Sequence, residues 1–166
     1  MESDIDISIA NIWRAWQAFV SGKCRSGSLR LFYANLETNL INLQQDLKNN
    51  NFQHGGYQSF VVHDPKRREI AVACIRDRVV HRLLYDYLVM VWDKTFCYDA
   101  WSCRKGKGLL GAIDRAEQHA KKYQHGWIWR SDITKFFDSV HQEHLQFLLR
   151  TKLDYPKVLW LLDEVI

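Results

Sequence analysis

The chain lacks several things that would assign it to familiar classes. No Cys-x-x-Cys occurs, and the Cys97 to Cys103 spacing fits no common zinc pattern. Cys24, Cys74, Cys97 and Cys103 therefore read as free thiols of a reducing cytoplasm. No apolar run reaches the ~20 residues that a membrane span needs. The first acids, Glu2, Asp4 and Asp6, have the wrong sign for a secretory leader. These absences predict a soluble, cytoplasmic protein with no membrane partner. The Gly-x-x-x-x-Gly-Lys-Ser/Thr spacing of a P-loop is missing too. So is any pair of adjacent aspartates. Proline is scarce, with only Pro65 and Pro156.

What is present is apolar, aromatic and mildly basic. The 166 residues are 47% hydrophobic, enough for a packed core, with seven Trp, seven Tyr and eight Phe. The net charge is +4. Between Pro65 and Lys107 ten lysines and arginines face five acids, so the middle third holds the whole positive excess. That is an electrostatic footprint suited to nucleic acid.

Hydropathy predicts helices over residues 7–20, 29–48, 75–91 and 109–123, and two more after residue 141. Leu31, Phe32, Leu36, Leu40, Leu43 and Leu47 form one expected buried stripe. Leu110, Ile113 and Ala116 form another. Pro156 suits the first turn of the last helix. The Gly/Ser-rich run 21–28, with Lys23 and Arg25, reads as a flexible linker or, as the alternative, a phosphate contact. Tyr57–His63 and Glu69–Cys74 read as two strands joined by a turn through Asp64-Pro65-Lys66-Arg67-Arg68. Three cations near a hairpin tip are either a solvated turn or a clamp on a triphosphate. Asp77 falls in the first turn of the long helix, where the helix dipole favours an anion. Arg76 and Arg78 fit nucleic-acid backbone contacts or salt bridges to Asp77 or Asp86. His141, Glu143 and His144 read as solvated first-turn residues rather than metal ligands.

The run Trp127-Ile128-Trp129-Arg130-Ser131-Asp132-Ile133-Thr134-Lys135-Phe136-Phe137-Asp138 reads as a strand, a turn and the start of a helix. It places a carboxylate at the tip of a strand, which suits magnesium, an ion that takes oxygen ligands and keeps some of its waters. The alternative is an ordinary strand-to-helix turn, with Asp132 or Asp138 as a cap and both Phe in the core.

Asp132-Ile133-Thr134-Lys135-Phe136-Phe137-Asp138 resembles motif A of the reverse transcriptases, in particular the group II intron-like and diversity-generating retroelement branch. Two upstream blocks resemble the same branch in the same order. They are Ile75-Arg76-Asp77-Arg78-Val79-Val80-His81 after a basic hairpin, and Phe96 to Gly108 with its Ser102, Arg104, Gly106, Lys107 and Gly108. The helical opening is similar to the N-terminal extension of these enzymes. The resemblance implies that Asp132 is the catalytic metal ligand, with the Ile133 backbone carbonyl completing the site for two Mg2+ ions. It implies that Lys66 and Arg68 contact the triphosphate and that Phe137 rejects a 2′-hydroxyl. It implies that Arg76, Arg78, Arg104, Lys105 and Lys107 contact nucleic acid. The family's usual Gln is His81 here, and its prolines in the returning strand are Glu69 and Ala73.

The fold implied is α+β, the fingers and partial palm of a right-hand polymerase: helix-rich, with a basic β-hairpin and a short palm strand. The expected organisation is a helical extension over 1–54, fingers over 55–125 and the start of the palm over 126–166. The family's Tyr-x-Asp-Asp hairpin is absent, so the expectation is the front portion of an RNA-directed DNA polymerase, inactive on its own. Its partners would be an RNA template, a DNA primer, a dNTP, and a missing C-terminal half or accessory protein. The alternative is a non-catalytic RNA-binding module or one half of a split retroelement protein.

Overall fold

The computed structural model describes residues 3–24 and 26–166. Glu2 and Arg25, read above as parts of a non-leader N-terminus and of a cationic linker, lie outside the described residues. The chain is α+β and helix-rich, with a two-stranded antiparallel sheet. It divides into two compact units, one running to Leu88 and resuming over Gln142–Ile166, the other spanning Val89–His141.

The first unit holds the buried core. Helix α1 (Ile9–Val20) starts at Ser8, whose hydroxyl accepts from the Asn11 amide. It buries Ile12, Ala15, Trp16 and Phe19. The single helix expected over residues 29–48 is two: α2 (Gly27–Ala34) and α3 (Leu36–Lys48). Asn35 interrupts them at φ −121°, ψ 35°, a conformation outside the helical basin. The break resets the helical phase. Leu29 is buried in α2, while Leu31, assigned to the stripe from its spacing, is 75% exposed. Leu40, Leu43 and Leu47 keep the stripe in α3.

The strands are β1 (Gln58–Asp64) and β2 (Lys66–Val72). Asp64 pairs with Lys66, so Pro65 alone occupies the tip. Lys66, Arg67 and Arg68, expected in the turn, therefore belong to β2. Helix α4 (Ile75–Trp92) follows. Helical spacing predicts its apolar face as Ile75, Val79, Val80, Leu83, Leu84, Tyr87, Leu88 and Val91; all are buried but Leu88, which is half-buried, and Val91 lies past the unit boundary at Leu88. Helices α7 (Gln142–Arg150) and α8 (Pro156–Val165) complete this unit, tied by Arg150 to Asp163.

Two reciprocal caps bind the early chain to the late chain. The Asp4 carboxylate accepts from the Lys157 and Val158 amides, both at 3.1 Å. It thereby satisfies orphan donors at the start of α8, where the helix dipole also favours a negative charge. Lys157 donates from Nζ to the carbonyls of Leu47 at 2.9 Å and Lys48 at 3.2 Å, closing the end of α3.

The second unit contains a 3-10 turn (Asp93–Thr95), α5 (Leu109–Lys122) and the four-residue α6 (Phe136–Ser139). Two expectations fail here. Leu110, Ile113 and Ala116 are exposed rather than on a core side. Residues 127–132, read as the palm strand, carry no strand; Trp127 is 101% and Trp129 89% exposed. A strand exists only through hydrogen bonds to a neighbour, and an alternating pattern cannot supply that neighbour. The only sheet among the described residues is β1–β2.

Candidate nucleic-acid interface

The β1–β2 hairpin carries both residues expected at a triphosphate. Alternation along the ladder puts Lys66, Arg68 and Ile70 on one face with Asp64, Val62 and Phe60. Arg67, Glu69 and Ala71 take the other face with His63, Val61 and Ser59. Every residue from Gln58 to Ala71 is exposed, so neither face is used by the core. Lys66 and Arg68 thus stand two residues apart on one strand, beside an exposed aromatic ring at Phe60. A cation pair at that spacing can grip phosphate oxygens while the apolar face meets a flat base.

The root of the hairpin is fixed by Asp77. Its carboxylate is 0% exposed, in the first turn of α4, and Oδ2 accepts from the Gly55 amide at 2.9 Å. His54 Nε2 lies 3.8 Å from Oδ2 and 2.9 Å from His81 Nε2. Oδ1 has no hydrogen-bond partner among the described atoms, and Arg76 Nη1 stands 3.7 Å away. The Cys74 thiol lies beside this carboxylate, and partial burial raises it above its ordinary range.

Arg76, expected to contact nucleic acid, is built into the fold. It pairs with Asp46 at 2.8 Å, donates to the Gln53 carbonyl at 3.2 Å, and lies over the buried ring of Phe52. Arg78 lies over Phe19, 4.8 Å from the ring centre. Burial above all, then Arg78 and then Arg82, holds the Lys23 ammonium below its ordinary value. The Asp86 partner considered for these residues pairs with Arg82 instead, at 2.8 Å. Lys23 and Arg78 line one depression of about 300 Å³ with Phe19, Ser26 and Leu29, so Arg78 keeps a cationic face toward solvent.

Within the second unit, Arg104 is consumed by its own loop. Its guanidinium bonds the Asp93 carboxylate through Nε at 2.7 Å and Nη2 at 3.2 Å. It also donates to the carbonyls of Asp93, Cys97 and Ala100. All the donor groups of the fork point inward, so Arg104 is a structural brace, not the free cation expected. Lys107 is similarly engaged: it donates to the Tyr98 carbonyl, and its ammonium sits 3.7 Å from the Tyr98 ring centre and 4.1 Å from that of Trp101. A methyl group on Gly111 would come within 2.7 Å of the Trp101 ring, so α5 needs glycine there to admit the indole. Lys105 is exposed.

Asp132 is exposed, and its Oδ1 accepts from the Ile133 amide at 3.0 Å. Three residues on, Lys135 takes φ 50°, ψ 45°, the left-handed conformation that costs an ordinary L residue about 1–2 kcal/mol. This turn starts α6 and presents Phe136 against Phe137, edge to face at 5.5 Å. Phe137 is 90% exposed, so the alternative of two core phenylalanines does not hold. Among the described residues no three His, Cys, Asp or Glu side chains come together to hold a metal ion. Asp132 with the Ile133 carbonyl supplies too few oxygens for the two Mg2+ ions that the motif implies.

A scan against protein-family models finds no match, and a search of curated proteins finds none either. Among the described residues no helix is long and apolar enough to cross a membrane.

Three features, two in the first unit and one in the second, have no clear signal in the sequence. Asp77 looked like a dipole ligand at a helix start, yet it is the buried anchor of the hairpin. His54 and His81, 27 residues apart, gave no local signal of their contact. Asp93 and Arg104 were legible only as charges of opposite sign.

Proposed function

We propose that this chain forms the fingers and the first part of the palm of an RNA-directed DNA polymerase of the group II intron-like or diversity-generating type. The observation that carries this reading is the hairpin. It is exposed on both faces, bears Lys66 and Arg68 on one of them, and is anchored at its root to the helix that opens Ile75-Arg76-Asp77-Arg78. Lys66 and Arg68 would neutralise and align the triphosphate of a dNTP. Arg78 and Lys105 would contact the nucleic-acid backbone. Phe137 would lie against the deoxyribose, where a 2′-hydroxyl would clash with its ring. Asp132 would contribute one carboxylate toward magnesium. Template-directed extension joins a primer 3′-hydroxyl to the α-phosphate and expels pyrophosphate. The further acids it needs are not in this sequence, and the chain alone is assigned no turnover.

The exposure of Trp127 and Trp129 favours a second reading, a non-catalytic RNA-binding module. Unpartnered indoles beside Arg130 are stacking surfaces for unpaired bases. Fluorescence anisotropy with a labelled RNA–DNA primer–template separates the two. The polymerase reading expects the matched dNTP with Mg2+ to tighten duplex binding, and this gain to vanish in Lys66→Ala/Arg68→Ala and in Asp132→Ala. Binding that ignores dNTP and survives Asp132→Ala would assign the RNA-binding module instead.

A further inference from the structure

The imidazoles of His54 and His81 meet end to end. Their Nε2 atoms are 2.9 Å apart, the rings are within 9° of parallel, and the centroids are 5.0 Å apart. The ring nitrogens therefore face each other along one line, the geometry of a single N–H···N hydrogen bond. A metal ion cannot sit between them. Zinc needs about 2.0–2.1 Å to each nitrogen, and its tetrahedral geometry would hold the two about 3.3 Å apart, farther than they stand. The contact has room for one proton. A second would set two N–H groups head to head.

The surroundings make that occupancy consequential. His54 is four residues before β1, and its side chain is 10% exposed. The neighbouring Gly55 amide is held by Asp77, so His54, Gly55 and the hairpin root form one attachment to α4. The titratable and charged groups around the pair are Asp77, Cys74, Arg76 and Arg78, together with the Tyr57 ring 5.1 Å from His54. Asp77 favours a positive imidazole and Arg78 opposes it.

We propose that the His54–His81 pair is a proton-sensitive latch, holding the root of the β1–β2 hairpin on α4 at neutral pH and releasing it on acidification. At neutral pH one Nε2–H donates and the facing Nε2 accepts. Below the ordinary imidazole range the acceptor is driven to bind a proton, the two rings repel, and the segment carrying His54 and Gly55 leaves α4. The Asp77 carboxylate then becomes accessible to water, and the hairpin loses its fixed aim.

The behaviour of His81 agrees in sign. Burial above all, then the facing His54, holds it below the ordinary imidazole value, with Arg78 acting the same way and Asp77 opposing. A histidine depressed in the folded state binds fewer protons than in the unfolded chain. Its contribution is intact above about pH 6.5 and is lost as pH falls from there through the lower folded value.

Amide hydrogen exchange on the full chain between about pH 8 and pH 5, corrected for intrinsic rates, tests the latch. Protection of the Gly55 amide and of the β1–β2 ladder should fall by about tenfold or more across the imidazole range, while amides of α3 stay protected. His81→Gln, which stays neutral throughout, should remove this step, and His63→Gln, in the hairpin itself, should leave it in place. An unchanged step in His81→Gln, a step abolished by His63→Gln, or a flat wild-type profile would each overturn the proposal. Should His81→Gln fail to fold, the His81 ring titration in the wild type decides: a value below the ordinary one supports the latch, and a value at or above it refutes it.

Discussion

Gly55 approaches Asp77 so closely that a methyl group on its Cα would stand 3.0 Å from the carboxylate Oδ2. The same oxygen accepts the Gly55 amide at 2.9 Å. Neither atom can yield easily, because Asp77 is fully buried in the first turn of α4. Gly55→Ala should therefore overfill the contact and lower stability by roughly 1–3 kcal/mol, read as a fall in the urea midpoint. Asp77→Ala should cost about 1.5–3 kcal/mol, since it strands the amide that the carboxylate accepts.

The caps between Asp4 and α8 give a separate prediction. Asp4→Ala removes the acceptor for two amides and should cost about 0.5–2 kcal/mol in chemical denaturation. Asp4→Asn, which keeps an acceptor oxygen, should recover part of it. Full-size loss in Asp4→Asn would assign the effect to charge rather than to the hydrogen bonds.

Asp93 and Arg104 predict a loop that loosens in acid. The Arg104 hydrogen bonds hold the Asp93 carboxyl below the ordinary aspartate range. A carboxylate depressed in the folded state stabilises above its ordinary value, near pH 4, and that contribution is lost as pH falls through the folded value. Resonances of the 93–104 loop should shift in this window. Arg104→Lys should not restore them, because an ammonium cannot reproduce the planar fork of five bonded contacts.

At Lys135 the left-handed backbone stores strain ahead of the two aromatic rings. Lys135→Gly should be neutral or stabilising by up to about 1 kcal/mol. Phe137→Ala should shift stability by less than about 0.5 kcal/mol, because the ring is 90% exposed. A large loss in Phe137→Ala would mean that the ring is packed in solution and not free for a sugar.

The elements that follow one local period were legible in the sequence. Helices α1, α4, α7 and α8 fall close to where hydropathy places them, and the α4 apolar face is the one its spacing predicts. The failures have physical causes. Asn35 leaves the helical basin and rephases the leucine stripe. Pro65 makes the reversal so tight that Lys66, Arg67 and Arg68 enter the strand. Trp127 to Asp132 alternates like a strand but has no partner to pair with. Of the candidate site, the hairpin cations are exposed, which both the solvated-turn and the clamp reading of the charge pattern allow. Arg76 and Arg104 do not, because a sequence cannot say which carboxylate will occupy a guanidinium. The His54–His81 contact, closed across 27 positions, left no trace in any window.

The most direct test of the central claim is photo-crosslinking of a radiolabelled azido-dNTP to the wild-type chain in the presence of a primer–template, followed by peptide mapping. Label should fall on the β1–β2 hairpin, be competed by unlabelled dNTP, and drop about tenfold or more in Lys66→Ala/Arg68→Ala while Arg67→Ala, on the opposite face, keeps it. Label scattered over the surface, or undiminished in the double variant, would contradict it.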